Sequence, residues 1–214
     1  MNIYERALAK HEQWRGKLEI TSKAKVSNAE ELSLAYSPGV AEPCNQIAKD
    51  PNTVWDYTWK GNTIAVVSDG SAVLGLGNIG PAAALPVMEG KAVLFKEFGN
   101  VNAIPLCLAT QDVDEIVRIV KALEPTIAGV NLEDIASPRC FEIEERLVKE
   151  TDMFIFHDDQ HGTAVVTLAG LINALRVVGK DKTARIIVSG IGAAGGAIVR
   201  LLLQDGYTNV VGCG

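Results

Sequence analysis

Two acidic pairs stand where short apolar runs give out. Glu133-Asp134 closes TIAGVNLED (126–134), and Asp158-Asp159 closes MFIFHDD (153–159). Runs of this length and character read as buried parallel strands. In open α/β sheets, ligands bind at the carboxyl ends of such strands. Carboxylate oxygens gathered there, with no thiolate among them, suit a hard divalent cation, Mg2+ or Mn2+. His157 and His161 offer a rival zinc reading, but His157 ends a strand and there is no HExxH pattern. Lys91 lies in PVMEGKAVLF (86–95), between a glycine and an apolar run. Burial lowers the pKa of a lysine entering a core strand, which would let it act as a base. A snorkelling surface lysine is the simpler reading of those residues alone. Tyr36, in LAYSPGV, reads by default as a buried tyrosine with a bonded hydroxyl.

A second chemistry is written in RIIVSGIGAAGGAIVRLL (185–202), a strand, a glycine turn and a helix. Gly190, Gly192 and Gly195 fit the dinucleotide fingerprint in the context it requires, with Ala193 and Ala194 opening the helix. The glycines permit the tight turn, and the helix N-terminus faces a pyrophosphate. Gly75-Leu76-Gly77-Asn78-Ile79-Gly80 matches the same pattern without a long strand directly before it, and Pro81 follows. Gly77 and Asn78 are weaker candidates for cofactor contact, since such glycines also serve close backbone packing. The acid that binds ribose hydroxyls would fall near Gly212-Cys213-Gly214, where there is none. Its absence removes repulsion against a 2′-phosphate and leans towards NADP over NAD. Metal and dinucleotide sites on one chain point to a metal-assisted dehydrogenase.

These residues need elements to position them. The sequence predicts a helix over 2–15, with Ile3, Ala7, His11 and Trp14 on one side, and a strand over 63–70. The stretch from Gly70 to Met88 reads as turn-rich, and the segments 92–95 and 103–108 as strand-like. Asp112 with Glu115 resembles a capping box opening a helix that Pro125 stops. Ser137-Pro138 reads as an N-cap with proline at the first helical position. Strand 153–157, helix 163–178, strand 185–189, helix 193–204 and strand 209–213 come next. The alternation predicts an α/β fold: an N-terminal catalytic domain with a largely parallel sheet over 1–160, then the first βαβ unit of a Rossmann domain over 161–214. A dinucleotide fold needs further units, so the chain is expected to be part of a longer protein.

Composition narrows the class. A net charge of −6 with no basic cluster argues against nucleic acid. The longest uncharged run is broken by Pro81, Pro86 and glycines, so it is no membrane span. Cys44, Cys107, Cys140 and Cys213 are scattered and read as reduced thiols of a cytoplasmic protein, each a small buried apolar group.

Taken together, LAYSPGVAEPC (34–44), the stretch 61–99, NLEDIASPRCFEIEERL (131–147), FHDDQHGTAVVTLAGLINAL (156–175) and GIGAAGGAI (190–198) resemble the malic enzymes, in their compact bacterial form. The resemblance covers the whole chain. It implies oxidative decarboxylation of (S)-malate to pyruvate and CO2, with NAD or NADP and Mg2+ or Mn2+, by a homodimer or larger homo-oligomer. By motif, Tyr36 matches the general acid and Lys91 the general base. Glu133, Asp134 and Asp159 match the metal ligands, and Asp158 the acid that supports lysine and tyrosine. Nucleotide contacts fall on 192–195 and on 73–80. The chain departs from the pattern at Ala72, where larger members carry the arginine that binds the substrate carboxylate. The family's substrate-binding asparagines fall beyond residue 214. A malolactic enzyme on the same scaffold, or a non-catalytic dimerising or regulatory fragment, are the alternatives.

Overall fold

The computed structural model describes residues 2–214. Four parallel strands form the main sheet: β1 (Thr63–Ser68), β2 (Asn102–Cys107), β3 (Gly129–Leu132) and β4 (Phe154–His157), in the order β2-β1-β3-β4. The chain moves outward from β1 to β2, then crosses back to place β3 on the other side of β1. That reversal leaves a crevice between β1 and β3 at their carboxyl ends, the place where open sheets bind ligands.

Side-chain alternation assigns the two faces. Ala65 and Val67 of β1, with Val130 and Leu132 of β3, pack against α6 (Val113–Ala122) and α7 (Arg139–Glu150) through Ile116, Val117, Val120, Cys140, Ile143 and Leu147. On the opposite face α5 (Pro81–Gly99) packs against β1 and β2, burying Ala84, Met88 and Ala92. Those three are four residues apart, one stripe of a helix. The segment 92–95 is therefore helical, not a strand. A four-residue apolar run carries too little periodicity to separate the two, and its length misleads. The 70–88 stretch is turn-like only as far as Gly80. Pro81 then opens α5 at the first helical position, where a missing N–H costs nothing.

Two caps differ from expectation. Asp112 accepts the Glu115 amide, but the return bond from the Glu115 side chain is not made, so only half a capping box forms. Ser137 does not cap α7: Pro138 occupies the cap position and makes no side-chain bond.

A separate two-stranded parallel sheet pairs β5 (Ile186–Ser189) with β6 (Val210–Cys213), joined through α9 (Ala193–Gln204). With α8 (Thr163–Val177) it encloses a small core of Leu175, Leu202 and Tyr207. The N-terminal segment is different in kind. It contains α1 (Ile3–Trp14), α2 (Ala29–Ala35), α3 (Ala41–Lys49) and α4 (Val54–Tyr57), and no residue from 2 to 62 is buried. Cys44 and Cys213 are exposed, so the expectation of four buried thiols holds fully only for Cys140. Among the described residues, no helix is long and apolar enough to cross a membrane.

Candidate active site

The crevice is lined by the residues at the carboxyl end of each strand. Glu133 and Asp134 come directly after β3. Asp158 and Asp159 come directly after β4, in a π-helical turn (Asp158–Gly162) that leads into α8. Such turns are uncommon and recur at functional sites. This one turns successive acids to different neighbours. Asp158 reaches Lys91 at 2.7 Å, while Asp159 Oδ2 accepts the Asp134 amide at 3.1 Å. Gly162 is required by this packing, because a Cβ there would collide with the Asp158 carboxylate.

Oxygens of Glu133, Asp134 and Asp159 lie within 4.8 Å of one another. Asp134 holds a left-handed backbone (φ 55°), a conformation that aspartate tolerates better than most residues. Its Oδ2 is buried with no hydrogen-bond partner. Burial, reinforced by neighbouring acids, pushes Glu133 up to about 7 and Asp134 up to about 6. Three crowded carboxylates, two of them desolvated and one with an orphan oxygen, are a poor arrangement by themselves. A divalent cation would resolve the repulsion, and an all-oxygen set suits Mg2+ or Mn2+. Neither histidine belongs to the cluster. His157 Nδ1 faces Gln160, and His161 Nε2 lies 2.7 Å from Glu144. The zinc reading therefore has no ligand set among the described residues.

Lys91 enters from α5, not from a strand. It is one helical turn past Met88 and lies 3.1 Å from Glu133 as well as 2.7 Å from Asp158. Burial alone would lower its pKa. The hydrogen bond and charge of Asp158, with the charge of Glu133, outweigh that and leave it raised. The expectation of a lowered pKa is thus reversed. Tyr36 does not join this group. It caps the C-terminus of α2, is 70% exposed and hydrogen-bonds through its hydroxyl to no described residue. The default of a buried, bonded tyrosine fails because α2 has no body of its own chain to pack against.

Known proteins share this sequence and architecture. Residues 15–148 match the model of the malic enzyme N-terminal domain. The chain belongs to the malic enzyme family. It is 62% identical, over its whole length, to a bifunctional malic/malolactic enzyme of Bacillus subtilis, of which it covers 52%. It is 55% identical to an NAD-dependent malic enzyme of Geobacillus stearothermophilus, covering 99% of this chain and 44% of that protein. The solved malic enzyme of Pyrococcus horikoshii is 54% identical and superimposes with a TM-score of 0.94, over 100% of this chain and 51% of that one. The chain spans about half the length of the curated relatives it matches.

The fingerprint glycines form a tight turn between β5 and α9. Gly190 has φ 90°, and a Cβ on Gly195 would strike the Gly190 carbonyl. Gly192, Ala193 and Ala194 complete the turn and open α9. The helix packs against the π-helical turn, so the glycine turn and the acidic cluster share one neighbourhood. Gly77 and Asn78 lie in a second tight loop, closed by a bridge between Val73 and Gly77. Asn78 accepts from Gln111 at 3.3 Å, and Gln111 in turn accepts from Arg139.

Four contributors are not legible in the sequence patterns. Asn131 donates to Glu133 at 2.8 Å. Arg139 pairs with the buried Asp69 at 3.2 Å and bonds Ser71 at 3.0 Å, bringing a guanidinium beside the Ala72 position. His157 and Gln160 lie behind Asp159. Only the HDDQH string hints at any of these: Arg139 depends on Asp69 and Ser71, far away in sequence, and Asn131, though two residues from Glu133, carries no pattern that marks it.

Proposed function

We propose that this chain carries the metal- and malate-binding side of an enzyme that oxidatively decarboxylates (S)-malate to pyruvate and CO2, with NAD or NADP as hydride acceptor. The observation that carries the reading is Lys91 held between Asp158 and Glu133, beside the three-carboxylate cluster in the crevice after β1 and β3. Residues 1–160 would form the catalytic domain and 161–214 the start of the nucleotide-binding domain.

Mg2+ or Mn2+ held by Glu133, Asp134 and Asp159 would polarise the substrate's C2 oxygen and, by neutralising Glu133, leave burial freer to lower the Lys91 pKa. Lys91 would take the C2 hydroxyl proton, and a bound nicotinamide would supply the acceptor for the C2 hydride. Asp158, 2.7 Å away, keeps the amine aimed and is the group with which its proton exchanges. Tyr36 delivers a proton to C3 once CO2 has left. The turn at 190–195, with Gly190, Gly192, Ala193, Ala194 and Gly195, would hold the cofactor's pyrophosphate at the N-terminus of α9. Gly77 and Asn78, in the loop closed by the Val73–Gly77 bridge, would add further nucleotide contacts. Assay of the intact protein with malate, Mn2+ and either nucleotide should show pyruvate, CO2 and reduced cofactor in equal amounts. Lactate without net cofactor reduction would instead support the malolactic reading, which the double name of the Bacillus subtilis relative keeps in view. Activity that survives exhaustive chelation would sink the metal.

Gly162→Ala is expected to displace the Asp158 carboxylate and lower kcat on the order of 100-fold, the scale of a misplaced catalytic group. A kcat within twofold of wild type would show that Asp158 does not aim Lys91.

We also propose that residues 2–62 seat on a second copy. This segment exposes Ile3, Tyr4, Leu8, Trp14, Ile20 and Leu34 while burying nothing. So much unpartnered apolar surface is characteristic of an interface. Tyr36 rides on the same segment, so its approach to substrate depends on how the segment seats. Sedimentation equilibrium should give a dimer or larger, dissociated by Leu8→Glu with Trp14→Glu. A monomer mass for the wild type would refute it.

A further inference from the structure

We propose that His157 is a positioning residue that offers its Nε2 hydrogen to the Asp159 carboxylate, with its tautomer set by Gln160 and Glu144. The inference deepens the metal reading and rests on Asp159 being a ligand.

The orientation can be followed outward from α7. Glu144, on that helix, accepts from Gln160 Nε2 at 2.8 Å, and its other oxygen lies 2.7 Å from His161 Nε2. An ionised carboxylate only accepts, so the Gln160 group facing it is the NH2. The same nitrogen lies 2.8 Å from His157 Nδ1. With one hydrogen on Glu144 and the other on His157, the amide makes Nδ1 the acceptor. The imidazole hydrogen is then on Nε2. His157 is fully buried, and its Nε2 lacks an aligned hydrogen bond. It lies 3.2 Å from Asp159 Oδ2. That oxygen also receives the Asp134 amide at 3.1 Å.

The arrangement has a structural logic. Asp159 is on a π-helical turn, whose geometry does not by itself hold a carboxylate still. One donor, the Asp134 amide from the β3 end, already holds that oxygen, and His157 Nε2 on the β4 side lies 3.2 Å from it, where a small turn of the carboxylate would align it as a second. Groups behind a metal ligand commonly set its orientation and basicity, and their loss weakens metal affinity about 10–100-fold. The turn also brings Gln160 back over His157, three residues earlier, so the orienting pair is built by the same distortion that presents Asp158 and Asp159.

The test is Mn2+ affinity of the intact protein, read by electron paramagnetic resonance titration without substrate or nucleotide. His157→Gln places an amide NH2 where Nε2 was. His157→Asn places it near Nδ1, too short to reach Asp159. The expected result is Mn2+ binding weakened about 10–100-fold in His157→Asn and less than about fivefold in His157→Gln. Gln160→Met, which frees the tautomer, should fall between them. Metal-free unfolding midpoints of each variant separate positioning from folding. Wild-type affinity in His157→Asn would overturn the proposal. So would equal losses in the two His157 variants that track their unfolding midpoints. Asp159→Ala retaining full Mn2+ affinity would instead overturn the metal reading on which the proposal stands.

Discussion

Lys91→Arg should be nearly as inactive as Lys91→Ala, each losing about 10²–10⁴-fold in kcat, the range of a lost general base. The pair of variants separates two roles that the geometry leaves together. Lys91 bridges Asp158 and Glu133, so its positive charge offsets two carboxylates as well as standing ready for a proton. Arginine keeps the charge and can pair with both acids, but it does not deprotonate at working pH. Alanine removes the charge and leaves Glu133 buried without its cation. If Lys91 acts as the base, arginine preserves stability but not turnover. If it acts only as a counter-charge, arginine preserves both. Steady-state kinetics with malate and Mn2+, together with urea unfolding, distinguish the two. A Lys91→Arg protein within fivefold of wild-type kcat would remove Lys91 from proton transfer.

Asp134→Asn is expected to stabilise the metal-free protein at pH 8 by about 1–3 kcal/mol while abolishing its response to Mn2+. The sign follows from the direction of the shifts. Burial is the main cause that raises Asp134 to about 6 and Glu133 to about 7 in the folded state. A carboxylate raised on folding binds more protons folded than unfolded. Stability is therefore full below the ordinary carboxylate values and is lost as pH rises through the folded ones, here between about pH 4 and 7. Asparagine cannot ionise, so it escapes that loss, and it accepts the left-handed backbone at this position. Glu133→Gln would be a less clean probe, because it also breaks the ion pair with Lys91. The lowered carboxylates, Glu145, Glu150 and Asp181, act in the opposite sense and only at lower pH, as the carboxylates themselves are protonated and their lysine, arginine or threonine partners lose a charged acceptor. Mn2+ should stabilise the wild-type protein at pH 8 with the logarithm of its concentration over Kd, as RT ln(1 + c/Kd) for a free concentration c. Urea midpoints at pH 5 and 8, with and without Mn2+, make the measurement. A wild-type protein equally stable at both pH values without metal, or an Asp134→Asn protein less stable at pH 8, would contradict the account.

These two results concern residues that are legible in the sequence to different degrees. The acidic pairs are visible because a strand end is a local signal: an apolar run stops and charge begins. The glycine turn at 190–195 is visible for the same reason, since only neighbouring backbone decides that Gly195 must lack a Cβ. Lys91 is visible as a residue but not in its place. Its apolar neighbours at 92–95 read equally well as strand or helix, and the stripe that decides it, Ala84, Met88 and Ala92, reaches back beyond the run. The direction of its pKa shift is reversed by Asp158, a partner 67 positions away.

The sequence alone determined the strand–turn–helix alternation, the acids at the ends of β3 and β4 and the dinucleotide fingerprint, because each is enforced within a few residues of backbone. Tertiary structure decided the rest. It put β1 between β2 and β3, opening the crevice. It brought α5 to the face where Lys91 meets Glu133, and folded Gln160 back onto His157. It also left residues 2–62, with Tyr36, without a core. Those outcomes depend on which distant segments share a low-dielectric space, since burial and opposing charges, not local pattern, set what a carboxylate or an amine does there.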